Sequence, residues 1–159
     1  MRAVMPGSFD PFTIGHLDIL RRALALFDEI IIAVGVNSGK RTLLTVTQRL
    51  EVIRQATAEF DTVSVAEMPG LLVDFCRDHG AAVSVRGVRS GGDFETEWGM
   101  AAMNTSLGLV ETVLLPASAT VGFISSTLVR SVAQAGGDVT PYVPASVAEL
   151  VRHLMQKEL

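Results

Sequence analysis

The chain has 159 residues, 48% of them apolar and 19% charged, and a formal net charge of -4. This length and composition suit one domain with a buried core and exclude a disordered polymer. The acidic balance argues against bulk binding to DNA or RNA, which draws on a basic face, but leaves room for a local arginine cluster around a small anion.

Taken in chain order, short apolar runs alternate with stretches of helical period. Ala3 to Met5 reads as a strand and runs through PGSFDPFTIGH, residues 6–16, into a helix marked by Leu17, Leu20, Leu24 and Phe27. Ile30 to Val36 reads as a second strand, followed by NSGKR at 37–41. The next helix carries Leu50, Ile53, Thr57 and Phe60 on one face, and Thr45 with Gln48 offers it a capping box. A strand over Val63 to Ala66 leads to a helix from Leu71 to Asp78 that stops at Gly80. A strand over Ala82 to Val85 leads through RGVRSGGDFE, residues 86–95, to a helix from Asp93 to Ser106. The last strand, Thr112 to Leu115, enters PASATVGFISSTLVR, residues 116–130. That segment opens a helix near Ser125, which ends at Gly136-Gly137. An amphipathic helix over Val147 to Gln156 closes the chain.

Strands that are apolar on consecutive residues suit a parallel sheet covered on both faces. The pattern predicts a doubly wound, Rossmann-like α/β fold with five parallel strands and helices on both faces, in a single domain over residues 1–159. Gly136-Gly137-Asp138 and Pro141 to Pro144 read as turns within it. The single cysteine, Cys76, has no disulfide partner and no CxxC companion, and with His79 alone it makes no metal site. It reads as a half-buried core thiol. The N-terminus has no basic region followed by an apolar run, and no apolar stretch reaches the length of a membrane span, so a soluble cytoplasmic protein is expected.

In doubly wound folds ligands sit outside the carboxyl ends of the strands. Four of the five strand exits here are rich in glycine, hydroxyls or cations. GVNSGK at 35–40 imitates a P-loop, but Gly35 and Gly39 are four apart and Lys40 is followed by Arg41, so it neither wraps a phosphate nor places a hydroxyl for Mg²⁺. Neither GxGxxG after the first strand nor the nucleophile elbow GxSxG occurs, and no His lies paired with Cys or Ser for covalent catalysis.

The remaining features are anion-binding devices. Thr13-Ile14-Gly15-His16 opens a helix whose unpaired N–H groups attract phosphate, and His16 can donate to a phosphate oxygen; a plain Thr13 cap with an exposed His16 is the alternative. Ser125, Ser126 and Thr127 exceed what one N-cap needs, and Arg130 follows them. Arg86 and Arg89 flank Gly87 past a buried strand and suit bidentate contact with phosphate; ion pairing with Asp93, Glu95 or Glu97 is the alternative. Together at one sheet edge they imply a pocket for several phosphate groups without a covalent nucleophile.

The series PGSFDPFTIGH, Lys40, RGVR with DFETE, and GFISSTLVR resembles, in order and spacing, the bacterial phosphopantetheine adenylyltransferases. These belong to the nucleotidyltransferase superfamily, marked by an early HxGH or TxGH and a late ISSTxxR-like motif. The resemblance covers nearly the whole chain. It implies transfer of the adenylyl group of ATP to 4′-phosphopantetheine, giving dephospho-coenzyme A and pyrophosphate. By position it assigns Ser8, Lys40, Leu72 and Arg86 to phosphopantetheine, with Leu71 and Val73 beside Leu72 along the pantetheine arm. It assigns Ser8, Phe9, His16, Gly87, Val88, Arg89 and Glu97, with Val121, Gly122, Phe123, Ile124, Ser125, Ser126 and Thr127, to ATP. His16, Lys40 and Arg89 carry the catalytic roles, with His16 stabilising the transition state. The resemblance also implies Mg²⁺ held mainly by ATP, a homohexamer, and coenzyme A as a feedback ligand. The family commonly has an aromatic residue and a serine at Val121 and Gly122, tyrosine at Thr96, and a longer side chain at Gly99. Sister nucleotidyltransferases acting on nicotinamide or nicotinate mononucleotide, or on glycerol phosphate with CTP, are the nearest alternatives and usually show HxGH. A non-catalytic adenine-nucleotide sensor is an alternative of another class.

Overall fold

The computed structural model of the chain describes residues 1–36, 39 and 42–157. Five strands, β1 (Arg2–Gly7), β2 (Glu29–Gly35), β3 (Val63–Met68), β4 (Val83–Val88) and β5 (Glu111–Pro116), form one sheet in the order β3-β2-β1-β4-β5. All neighbouring pairs are parallel. The helices are α1 (Ile14–Ala23), α2 (Val46–Ala56), α3 (Leu72–Asp78), α4 (Gly91–Gly108), α5 (Ser126–Gln134) and α6 (Ala145–Lys157). A single 3-10 turn, Thr140–Tyr142, precedes α6.

The alternation of side chains along a strand divides the core in two. Ala3, Met5, Ile30, Ile32 and Val34 face a large core shared with α1, α2, α5 and α6. Val4, Ile31 and Ala33 face a smaller one with Val73, Phe75 and Cys76 of α3. Both faces are therefore covered, which is why the strands read as unbroken apolar runs. Cys76 is fully buried, not half-buried, and burial pushes its thiol up to about 11, so it is an inert core group. Among the described residues no helix is long and apolar enough to cross a membrane.

Several element ends differ from the periodicity. α1 stops at Ala23, and Leu24 to Leu26 turn before β2, so Phe27 reaches the core from a turn and not from a helix. α2 stops at Ala56, with Thr57 as its C-cap, and Phe60 lies beyond it. β4 continues to Val88, which makes Arg86 and Gly87 strand residues. α4 runs unbroken through Gly99. Thr45 and Gln48 form the expected capping box on α2.

The strand order reverses direction between β1 and β4, the topological switch point at which such sheets bind ligands. There the ladder runs through Ala3↔Val83 and Val4↔Ser84, and the carboxyl halves of the two strands then border an open crevice.

Candidate active site

The crevice is a cavity of about 400 Å³, floored by Met5 to Gly7 of β1 and Val85 to Gly87 of β4. The segment after β1 builds one wall. Phe9 is buried with φ at 48°, a left-handed conformation that costs a non-glycine residue roughly 1–2 kcal/mol. Its ring lies against Gly7: a Cβ there would come 2.8 Å from Phe9 Cζ, so the turn back from β1 needs a residue without a side chain. The Phe9 ring meets His16 edge-on at 5.1 Å, Phe12 stacks on His16 at 5.4 Å, and the two phenylalanine rings touch each other at 5.6 Å, so the three rings form one cluster.

His16 is the third residue of α1, and Thr13 is the N-cap. The Thr13 hydroxyl accepts from the His16 N–H (3.3 Å), and the Thr13 N–H donates to His16 Nδ1 (3.0 Å). This is a capping box with histidine in the place usually held by Glu or Gln. A main-chain N–H can only donate, so Nδ1 is an acceptor and the ring proton of the neutral imidazole resides on Nε2. Burial, then the charges of Arg86 and Arg89, push His16 from 6.5 down to about 4. At neutral pH the cavity thus holds a neutral imidazole with one N–H to donate.

The opposite wall carries the arginines. Arg86 holds Glu97 in a bidentate pair, Nε to Oε2 at 2.8 Å and Nη2 to Oε1 at 2.6 Å, and its Nη1 donates across the crevice to the Pro6 carbonyl. Arg89 pairs with Asp93, Nε to Oδ2 at 2.9 Å, and donates from Nη1 to the Ile124 carbonyl at 3.3 Å. Both arginines therefore make the carboxylate pairs that were the alternative to phosphate binding, while still lining the cavity. Glu95 is exposed. Gly87 sits against α1, where a Cβ would come 2.8 Å from Ile19 Cγ1.

The start of α5 closes the third side. Ser125 is the N-cap and accepts from the Leu128 N–H (3.1 Å). The Ser126 hydroxyl donates to the Pro11 carbonyl (2.8 Å), and Thr127 accepts from Arg130 Nη2 (3.2 Å). Ser126 spends its proton in this contact, whereas Ser125 and Thr127 act as acceptors and keep an O–H to offer an anion beside the first-turn N–H groups, which have no intrahelical acceptor.

Of the residues singled out from sequence, Ser8, Phe9, His16, Arg86, Gly87, Arg89 and Glu97 line the cavity, as do Val121, Ile124, Ser125, Ser126 and Thr127. Leu72, Val88, Gly122 and Phe123 do not line it. Leu72 packs on the smaller core, Val73 is buried in it, and Leu71 is exposed. Val88 ends β4 and accepts from the Ala117 N–H at 2.8 Å. Gly122 donates to the Ser118 carbonyl at 2.9 Å, and Phe123 is exposed, edge-on to Tyr142. Lys40 lies outside the described residues.

Three supporting residues escaped the sequence reading. Asp10 is buried and accepts from the N–H groups of Leu44 and Leu43 at 2.8 Å each, while its carbonyl accepts from Arg130 at 2.5 Å. It thereby ties the segment after β1 to the entry of α2 and to α5. Asp18 accepts from the Ser118 hydroxyl (2.7 Å) and N–H (3.3 Å) and pins the segment after β5 to α1. Arg49 is buried beneath Ser8. Its register was the available signal, since it shares a helix face with Val52 and Ile53.

An open parallel sheet with two helix starts and two arginines gathered at its switch point defines a nucleotidyltransferase-type α/β domain. The cytidylyltransferase-like family profile matches residues 4–132. A proposed nicotinate-nucleotide adenylyltransferase from Vibrio parahaemolyticus shares the fold with a TM-score of 0.73, over 99% of this chain and 96% of that one, at 17% identity. A phosphopantetheine adenylyltransferase from Nocardioides sp. is 51% identical over 92% of this chain and 92% of its own. Another from Thermobifida fusca is 50% identical over 95% of this chain and 92% of its own. The chain belongs to the phosphopantetheine adenylyltransferase family.

Proposed function

We propose that the chain transfers the adenylyl group of ATP to 4′-phosphopantetheine, releasing pyrophosphate, by direct in-line attack of the acceptor phosphate on the α-phosphorus. The observation that carries this reading is the neutral His16 at a helix start, facing two arginines across one cavity. A phosphate monoester is already ionised near neutral pH and needs no strong base.

Catalysis then rests on positioning and on donors aimed at developing charge. His16 Nε2–H and the first N–H groups of α1 meet the α-phosphate. The start of α5 receives the β- and γ-phosphates through its main chain and the Ser125 and Thr127 hydroxyls, and Arg89 neutralises charge on the leaving pyrophosphate. Ser8, Arg86 and Lys40 place the acceptor. Arg86 then exchanges some of its contact with Glu97 for a phosphate oxygen, a swap between anions that keeps the guanidinium paired. Val121, in place of an aromatic residue, gives the adenine a smaller apolar contact.

Mg²⁺ enters this reading as an ion carried by ATP. The cavity carboxylates Asp10, Asp93 and Glu97 are each engaged by N–H donors or an arginine, and among the described residues no group of three or more His, Cys, Asp or Glu could hold a metal. When bound, the ion offsets charge on the triphosphate. The proposed homohexamer is supported by α4, which buries none of its residues in the single chain and leaves Phe94, Trp98 and Met103 exposed. Coenzyme A, which carries both the pantetheine arm and the adenylate, is the proposed feedback ligand.

ATP labelled at the α-phosphorus tests the reaction. The label is expected in dephospho-coenzyme A, with unlabelled pyrophosphate released. Label in free AMP or ADP, with no acceptor adduct, would overturn the assignment.

A further inference from the structure

Arg49 occupies a position where hydrocarbon is the ordinary choice. It lies three and four residues before Val52 and Ile53, on the core-facing side of α2, and is 3% exposed. A guanidinium there is costly unless its donors are satisfied. Its hydrogen bonds go to main-chain carbonyls and not to a carboxylate: Nη1 donates to Ser8 O at 2.6 Å and to Gly35 O at 3.1 Å. Nε is buried without a hydrogen-bond partner among the described residues. Burial pushes the guanidinium down from its ordinary value, with Asp10 and Glu67 opposing.

The two carbonyls stand at adjacent strand exits. Gly35 ends β2, and Ser8 is the first residue past β1, whose Gly7 lies beside Val34 in the ladder. Packing alone would be met by leucine or methionine at this site, with no orphaned donor and no desolvated charge. What the arginine adds is a fixed direction for the peptide that carries Ser8, and a positive charge directly below the wall where an anion docks.

We infer that Arg49 is a positioning residue for the acceptor phosphate: it locks the Ser8 carbonyl inward so that the Ser8 hydroxyl faces the cavity, and it adds a buried cation beneath that anion. The inference rests on the assignment of Ser8 to the acceptor in the proposed reaction. The nucleotide side is built chiefly from α1, α5 and Arg89; the resemblance also gives Ser8 and Phe9, which share the peptide that Arg49 holds, to ATP, so a small shift on the ATP side is expected beside a large one on the acceptor side.

Steady-state pyrophosphate release in wild type, Arg49→Met and Arg49→Lys provides the test, with KM taken separately for phosphopantetheine and ATP. A hydrogen-bonded charge lost from one side predicts a KM for phosphopantetheine raised about tenfold or more in Arg49→Met, with the KM for ATP within about twofold of wild type. Lysine keeps the charge and can reach one carbonyl, so Arg49→Lys is expected to recover most of the acceptor KM and to stay about two- to fivefold above wild type. A rise in both KM values together, an unchanged acceptor KM, or Arg49→Lys no better than Arg49→Met would overturn the inference. If Arg49→Met does not fold, Arg49→Lys decides: a rise confined to the acceptor supports it, and no rise or an equal rise for both substrates overturns it. Wild-type enzyme that fails to use phosphopantetheine at all would overturn the proposed reaction itself, and this inference with it.

Discussion

The Thr13 main-chain N–H donates to Nδ1 of His16 over 3.0 Å. One contact thereby caps α1, fixes the imidazole tautomer, and leaves Nε2–H as the donor available to the cavity. The same residue that ends the long segment after β1 thus caps the helix with one nitrogen and offers the other to the proposed chemistry. A lysine could supply charge at this position but could not accept from Thr13. A glutamine could complete the capping box but has no ring to pack against Phe9 and Phe12.

The pH dependence follows from that arrangement. His16 titrates near 4 in the folded protein against 6.5 when unfolded. The folded state therefore binds fewer protons between these values. Its stabilising contribution is complete above pH 6.5 and is lost progressively as pH falls toward 4. Urea denaturation at intervals between pH 7 and pH 4 is expected to show falling stability, and His16→Gln is expected to flatten that dependence. An unchanged slope in His16→Gln would assign the acid sensitivity to other groups. Because His16 stays neutral, turnover is expected to show no inflection from it near its ordinary value of 6.5.

Asp10 is the node between the two halves of the site. Its carboxylate takes two main-chain N–H groups near the start of α2, and its carbonyl takes Arg130 of α5. Asp10→Asn keeps the shape but turns an amide NH₂ toward one of those donors. Leaving a buried donor unpaired costs about 1–3 kcal/mol, and that loss of unfolding free energy is expected in urea. Turnover is expected to fall as well, since both walls lose a common anchor. Wild-type stability in Asp10→Asn would contradict this role.

Gly87 is a matter of space. A methyl at this position would meet Ile19 Cγ1 at 2.8 Å, between β4 and α1. Gly87→Ala is expected to cost about 1–3 kcal/mol through overpacking, and a double variant with Ile19→Ala, which removes Cγ1, to lose less than the sum of the two single losses. Thermal denaturation of the single and double variants measures both, and additive losses would show that the two positions do not share this contact.

The sequence carried the order of elements because the sheet is buried on both sides, and runs such as Ile30 to Val34 can hardly be anything else. It also carried the loops that form the site, since parallel strands deliver their carboxyl ends to one edge. It did not carry the ends of α1 and α2: Leu24, Phe27 and Phe60 keep helical spacing, but the chain has already turned, and a core reached from a turn has the same apolar signature. Nor did it carry the partners of the arginines. Arg86 and Arg89 lie near three acidic residues in sequence, and only the pitch of α4 selects Glu97 and Asp93 over Glu95. Asp10, between Phe9 and Pro11, reads as an ordinary turn residue until the start of α2 is placed over it. Arg49 was legible in principle, as a charge on an apolar helix face, but its purpose depends on two carbonyls 14 and 41 residues away.

Pyrophosphate release with ATP and Mg²⁺, offering phosphopantetheine and nicotinamide mononucleotide as separate acceptors, tests the central claim most directly, with His16→Ala as the control. The account predicts release with phosphopantetheine alone, reduced about 100-fold or more in His16→Ala while the far-ultraviolet circular dichroism stays that of the wild type. Release with the mononucleotide, or full turnover without the His16 imidazole, would contradict it.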